Sequence, residues 1–159
     1  MITSLNKSAP HGRFAAGSEG GERGELRSFN DAKGHIHPPV SGKIAQNFGS
    51  PASGDETNKG IIVLSRKGAA VLAPYDAEVV FAGSFLSYGR MVILRHSDDF
   101  HTLLAGLSRI DVKTGEFLLE GEPIGAMGDM ESENRLYVEL RKDNVPVDPV
   151  PWMKKLESK

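Results

Sequence analysis

Beyond residue 40, short segments rich in Val, Ile and Phe recur about every ten residues, and in the clearest of them apolar and polar residues alternate with period two, the mark of a strand with one face buried. Arg135-Leu136-Tyr137-Val138-Glu139-Leu140-Arg141 is the cleanest case. It puts Leu136, Val138 and Leu140 on a core face and Arg135, Tyr137, Glu139 and Arg141 on the other. That second face reads equally as an exposed sheet surface or as the floor of a binding groove. Further strand-like segments run at Lys43–Phe48, Gly60–Leu64, Ala69–Leu72, Ala77–Ala82, Arg90–Arg95, His101–Ala105, Glu116–Leu119 and Pro123–Met127. Gly, Pro, Asn and Asp punctuate the gaps. Short strands at this spacing predict an all-β, antiparallel sandwich or open barrel with little helix.

The ends are patterned differently. Residues 1–35 are rich in Gly, Ser, Glu, Arg and Asn with scattered apolar residues, too few to offset their ordering entropy, so they read as a flexible lead-in. A short helix at Glu22–Phe29 is the one element expected there. The domain is expected over residues 36–153, with 154–159 as a tail and one helical turn around Trp152–Leu156 after Pro149-Val150-Pro151. Between Val112 and Gly125, Gly115 and Gly121 flank a short apolar strand, which predicts two tight turns.

Composition narrows the chemistry. A chain of 159 residues is long enough for one core without staples, and a net charge of -2 offers no basic block for nucleic acid. The absence of cysteine removes disulfides, thiolate metal sites and thiol nucleophiles together. No apolar run approaches the roughly 18 residues of a membrane span. The histidines are His11, His35, His37, His96 and His101; the first three precede the expected core and the last two flank a turn. His35-x-His37 standing alone is a linker pair rather than a metal site. Asp129, Glu131 and Glu133 read as a solvated acidic loop, and Glu139 as the partner of a neighbouring cation.

An ordered series of motifs carries a resemblance: Pro39-Val40-Ser41-Gly42, Phe48-Gly49, Lys59-Gly60-Ile61, Val71-Leu72-Ala73-Pro74, Tyr88-Gly89, Val112–Gly125, Arg135–Leu140 and Pro146-Val147-Asp148-Pro149. In order and spacing this series is similar to the LytM, or lysostaphin-type, zinc endopeptidases, antiparallel β proteins that cut peptidoglycan. The resemblance implies zinc and catalytic positions at Asn58 and Ile62 (a His-x-x-x-Asp motif in active members), at Gly106, and at Arg135 and Tyr137 (a His-x-His pair). All five are replaced. A hydrolytic zinc site needs about three N or O ligands and an open position for water. Asn58 is a poor ligand, Ile62 cannot be one, and neutral Tyr137 is a weak one, so no metal or other cofactor is expected.

Members that have lost these residues resemble the EnvC and NlpD murein hydrolase activators of Gram-negative bacteria. Lys59-Gly60, Ile62, Tyr88-Gly89 and Leu136–Arg141 lean toward the EnvC-like subgroup. The resemblance implies a non-catalytic, periplasmic activator of zinc-dependent N-acetylmuramoyl-L-alanine amidases in cell division and daughter-cell separation. Its amidase contacts would be Lys59, Ile62, Tyr88, Tyr137 and Arg141 in the emptied groove. Two alternatives stay open: a non-catalytic peptidoglycan-binding module using the same groove, and a peptidoglycan endopeptidase with altered catalytic residues. Ile62, in the run Ile61-Ile62-Val63-Leu64, reads equally as groove or as core. Tyr137 reads as a partner contact or as an ordinary cross-strand aromatic.

Overall fold

The structure, a computed structural model, describes residues 25–52, 54–86, 89–129 and 134–154. The described residues form strands β1 (Lys43–Gln46), β2 (Ile61–Ser65), β3 (Ala70–Leu72), β4 (Ala77–Ser84), β5 (Arg90–Arg95), β6 (Phe100–Leu107), β7 (Arg109–Ile110), β8 (Phe117–Leu118), β9 (Pro123–Ala126), β10 (Asn134–Lys142) and β11 (Val145–Val147). Two 3-10 turns, Asn30–Ala32 and Val150–Trp152, accompany them. The all-β expectation holds.

The larger sheet has eight strands in the order β1-β2-β10-β6-β5-β4-β8, with β11 also pairing β10; the smaller runs β3-β9-β7. Every pairing is antiparallel. Period-two alternation explains the arrangement: Ile61, Val63, Leu136, Val138, Leu140, Leu104, Val92 and Leu94 turn one face of the large sheet into a core shared with Val71 and Ile124 of the small one. The expected turns around Gly115 and Gly121 close through Glu116 N–H to the Lys113 carbonyl (3.1 Å) and Glu122 N–H to the Leu119 carbonyl (3.0 Å).

Two strands escaped the sequence pattern. β7 has two residues, too few to show a period, and β11 contains Pro146, which argues against a central strand. β11 is tolerated because it lies at the end of β10, where β2 has stopped.

The reading of residues 1–35 as a lead-in differs from the structure over its last third. From Arg27 onward the segment is packed: Phe29 is fully buried, its ring centroid 4.5 Å from those of both His96 and Phe100, 5.3 Å from Trp152 and 5.6 Å from Tyr75. Arg27 grips Asp76 with two bonds, Nε to Oδ2 at 2.7 Å and Nη2 to Oδ1 at 2.8 Å, and lies over the Tyr75 ring. The Phe29 N–H donates to Ser97 Oγ and the Asn30 N–H to the Asp98 carboxylate. One aromatic ring in a deep socket, with an arginine clamp beside it, orders a stretch whose composition alone predicts none. Residues 25–29 are not helical, and the rest of the expected Glu22–Phe29 helix lies outside the described residues, as does the end of the Trp152–Leu156 turn.

Candidate functional site

The face of the large sheet turned away from the core is built from the alternate residues of the same strands. Antiparallel register aligns them in rows across the sheet. Gln46, Ile62, Tyr137, Ala105 and Met91 form one row, Glu139, Leu103, Ile93 and Phe81 the next, and Arg141, His101, Arg95 and Glu78 a third. Ile62 therefore stands directly opposite Tyr137, half-buried rather than in the core.

Along β10 this face carries a hydrogen-bonded ladder. The Tyr137 hydroxyl donates to Glu139 Oε1 at 2.6 Å, and Arg141 Nε donates to Glu139 Oε2. Glu139 is buried beneath the two, its charge matched by the guanidinium, as its expected pairing with a cation required. The Tyr137 ring also lies against Gly60: a Cβ there would stand 2.9 Å from Tyr137 Cζ and 2.4 Å from the Val138 carbonyl oxygen. Lys59, just before, is exposed.

The other expected positions have other duties. The Asn58 side chain is tied into the preceding loop, its Nδ2 donating to Ser50 Oγ (2.8 Å) and to the Ser50 carbonyl (3.2 Å). Gly106 is a bulge: Arg90 pairs Leu107 while Met91 pairs Ala105, leaving Gly106 extra. Its φ is +110°, and a Cβ would come within 2.5 Å of the Arg135 carbonyl oxygen. Arg135 is exposed, opposite Leu64. Tyr88, the remaining expected contact, lies outside the described residues.

These residues do not fit a zinc ion. Asn58 spends its amide on the loop, Ile62 and Gly106 have no donor, and the Tyr137 hydroxyl is committed to Glu139. Among the described residues no three His, Cys, Asp or Glu side chains come together in a way that could hold a metal.

Sequence reasoning passed over one part of this face. Ile93, His101, Leu103, Arg141 and Asn144 surround a recess of about 270 Å³ beside the ladder. Only Arg141 was singled out, because β5 and the middle of β6, Leu103-Leu104-Ala105, are nearly continuous apolar runs in which alternation is hard to see. Burial, Arg95 and then Arg141 push the His101 imidazole below its ordinary pKa, with Asp99 opposing.

Residues 56–149 match Peptidase family M23. The chain belongs to that family. Among curated proteins it is similar to the murein hydrolase activator NlpD of Salmonella typhimurium, 34% identical over 117 residues that make up 72% of this chain and 30% of that protein. It is likewise similar to the lipoprotein NlpD/LppB homolog of Pseudomonas aeruginosa, 33% identical over 72% of this chain and 38% of that protein. The chain thus spans about a third of the length of these relatives. The solution structure of lysostaphin covers 74% of this chain, and this chain 54% of it, with a TM-score of 0.62 at 22% identity, a likeness of fold. The relatives carry the NlpD name, so the short motifs that leaned toward an EnvC-like subgroup do not single it out.

Proposed function

We propose that this M23 domain is a non-catalytic activator of N-acetylmuramoyl-L-alanine amidases in daughter-cell separation, working in the periplasm and docking its partner on the outer sheet face. One observation carries the proposal. Ile62 and Tyr137, at two of the positions where the family resemblance implies metal ligands, stand opposite each other and continue through Glu139 to Arg141 as one connected surface, apolar at one end and cationic at the other. The naming of relatives as murein hydrolase activators agrees with it.

The physics favours a protein partner. Replacing a carboxylate ligand by Ile62 exchanges a hydrated metal site for apolar area, and Tyr and Arg are the side chains most enriched among interface hot spots. An amphipathic segment of the amidase would lay its apolar side on Ile62 and the Tyr137 ring, with acidic residues reaching Lys59 and Arg141 and with Tyr88 as a further contact. Activation then follows as a population shift, the activator binding the open amidase more tightly than the closed one. Whether the domain is of the EnvC or the NlpD kind does not alter this scheme.

The test is reconstitution. The purified chain is mixed with the amidase encoded in the same genome and with dye-labelled sacculi. Dye release should require both proteins, and Tyr137→Ala and Arg141→Ala should each lower it while remaining folded. Dye released by the chain alone, and abolished by a chelator, would mark a hydrolase. A parent chain that binds sacculi but leaves the amidase unaffected, and loses that binding in Tyr137→Ala and Arg141→Ala, would mark a wall-binding module.

A further inference from the structure

Beyond the emptied catalytic row, the outer face continues into the recess bounded by Ile93, His101, Leu103, Arg141 and Asn144. Its floor is apolar, supplied by Ile93 and Leu103, which face each other across β5 and β6. Its open volume, about 270 Å³, suits one large aliphatic or aromatic side chain. Its edge is cationic in a particular way. Glu139 and Glu78 are nearly covered, with side-chain exposures of 6% and 5%, whereas their partners Arg141 and Arg95 remain 35% and 40% exposed. The carboxylates lie beneath and the guanidinium edges face outward. An approaching group therefore meets positive charge.

We infer that this recess is a second anchoring pocket of the docking face, taking one apolar side chain of the partner amidase that has a carboxylate next to it for Arg141 and Arg95. The inference rests on the activator reading above. Two observations favour this occupant: the charge complementarity of the rim, and continuity with the ladder through Arg141, which serves both. The pocket lies two strands and one to two rows from the Ile62 and Tyr137 pair, on the order of 15 Å. About ten residues of helix span that distance, so one amphipathic segment reaches both anchors.

The test measures affinity of the full chain for the amidase encoded in the same genome, by titration calorimetry, with thermal unfolding alongside. Leu103→Gln removes the apolar floor. Asn144→Asp places a negative charge at the rim without disturbing the backbone, since Asn144 sits at φ +70° in a turn where Asp143 already holds φ +52°. Leu103→Gln should weaken binding about tenfold or more, and Asn144→Asp several-fold, the latter more at low salt. Tyr137→Ala separates this inference from the reading beneath it. If Tyr137→Ala weakens binding while Leu103→Gln and Asn144→Asp, both folded, bind like the parent, the pocket is not an anchor and the activator reading stands. If all three bind like the parent, the docking face itself is refuted. If the two pocket variants keep full amidase affinity but lose co-sedimentation with purified sacculi, the occupant is a wall stem peptide and the inference is overturned.

Discussion

The ring of Tyr137 occupies the space that a side chain at residue 60 would need. A Cβ on Gly60 would meet Tyr137 Cζ at 2.9 Å and the Val138 carbonyl oxygen at 2.4 Å, and the second of these is backbone that cannot swing aside. Glycine at this position is a packing requirement set by β10. Gly60→Ala should destabilise the domain by about 1–3 kcal/mol, the usual cost of overpacking, and shift Tyr137 out of register with Ile62. Denaturant unfolding reads the first effect and amidase binding the second. A Gly60→Ala protein that unfolds at the parental midpoint would show that the approach is looser than described.

The Tyr137 hydroxyl and ring have separable roles. The hydroxyl donates to buried Glu139, while the ring faces Ile62 and Gly60. Tyr137→Phe keeps the ring and leaves Glu139 Oε1 without that donor, which should cost about 1–2 kcal/mol of stability. Partner affinity should fall far less in Tyr137→Phe than in Tyr137→Ala, because the ring supplies the apolar contact. Equal losses in the two variants would move the binding role to the hydroxyl.

Gly106 is fixed as glycine by the bulge it forms in β6. With φ at +110° and the Arg135 carbonyl oxygen 2.5 Å from where a Cβ would sit, the bulge excludes any L side chain without backbone movement. Gly106→His, which would place there the histidine that the family resemblance implies, should lower stability by about 1–3 kcal/mol, and Gly106→Ala by nearly as much. A calorimetric scan of the two variants checks this. A stable Gly106→His protein would mean that β6 can flatten its bulge.

How much of this could be read from the chain depends on the range of the interaction. Strands such as β10 were legible because half-buried antiparallel strands write their two faces as alternation, and the same alternation placed Tyr137, Glu139 and Arg141 together. The reason for Gly60 was not legible, since it lies in a strand remote in sequence. Phe29 is flanked by Ser28, Asn30 and Asp31, which give no period, so its burial could be learned only from the socket made by His96, Phe100 and Trp152. The recess stayed hidden for a related reason: Ile93 and Leu103 lie in strands apolar on both faces.

The packed arm should behave as part of the domain. Phe29→Ala empties a fully buried aromatic site and should cost about 3–5 kcal/mol. Arg27→Ala should cost less, because Arg27 is itself largely exposed, but it leaves the buried Asp76 carboxylate with the Glu120 N–H in place of its cation. A chain beginning at Ile36 should accordingly melt well below one beginning at Glu25. Identical melting of the two would return residues 25–35 to the status of a loose lead-in.

Stability should fall as pH drops below neutral, and His96 is the principal reason among the described histidines. The imidazole is completely enclosed, and burial lowers its pKa from 6.5 to about 4. Its Nδ1 is 2.9 Å from the Asp76 carbonyl oxygen, which can only accept, so Nδ1 carries the proton; Nε2, 2.8 Å from Thr102 Oγ1, then accepts from the hydroxyl. Both bonds suit the neutral ring. Between pH 6.5 and about 4 the unfolded chain binds a proton at this position that the folded chain does not, so stability rises with pH across that window and is lost as pH falls through it. The slope from this group approaches about 1.4 kcal/mol per pH unit in the middle of the window. His101, also held below its ordinary pKa, acts in the same direction. Unfolding free energies measured from pH 4 to 7 in the parent and in His96→Gln should differ in slope by close to one proton. Parallel curves would show that His96 takes up its proton in the folded state.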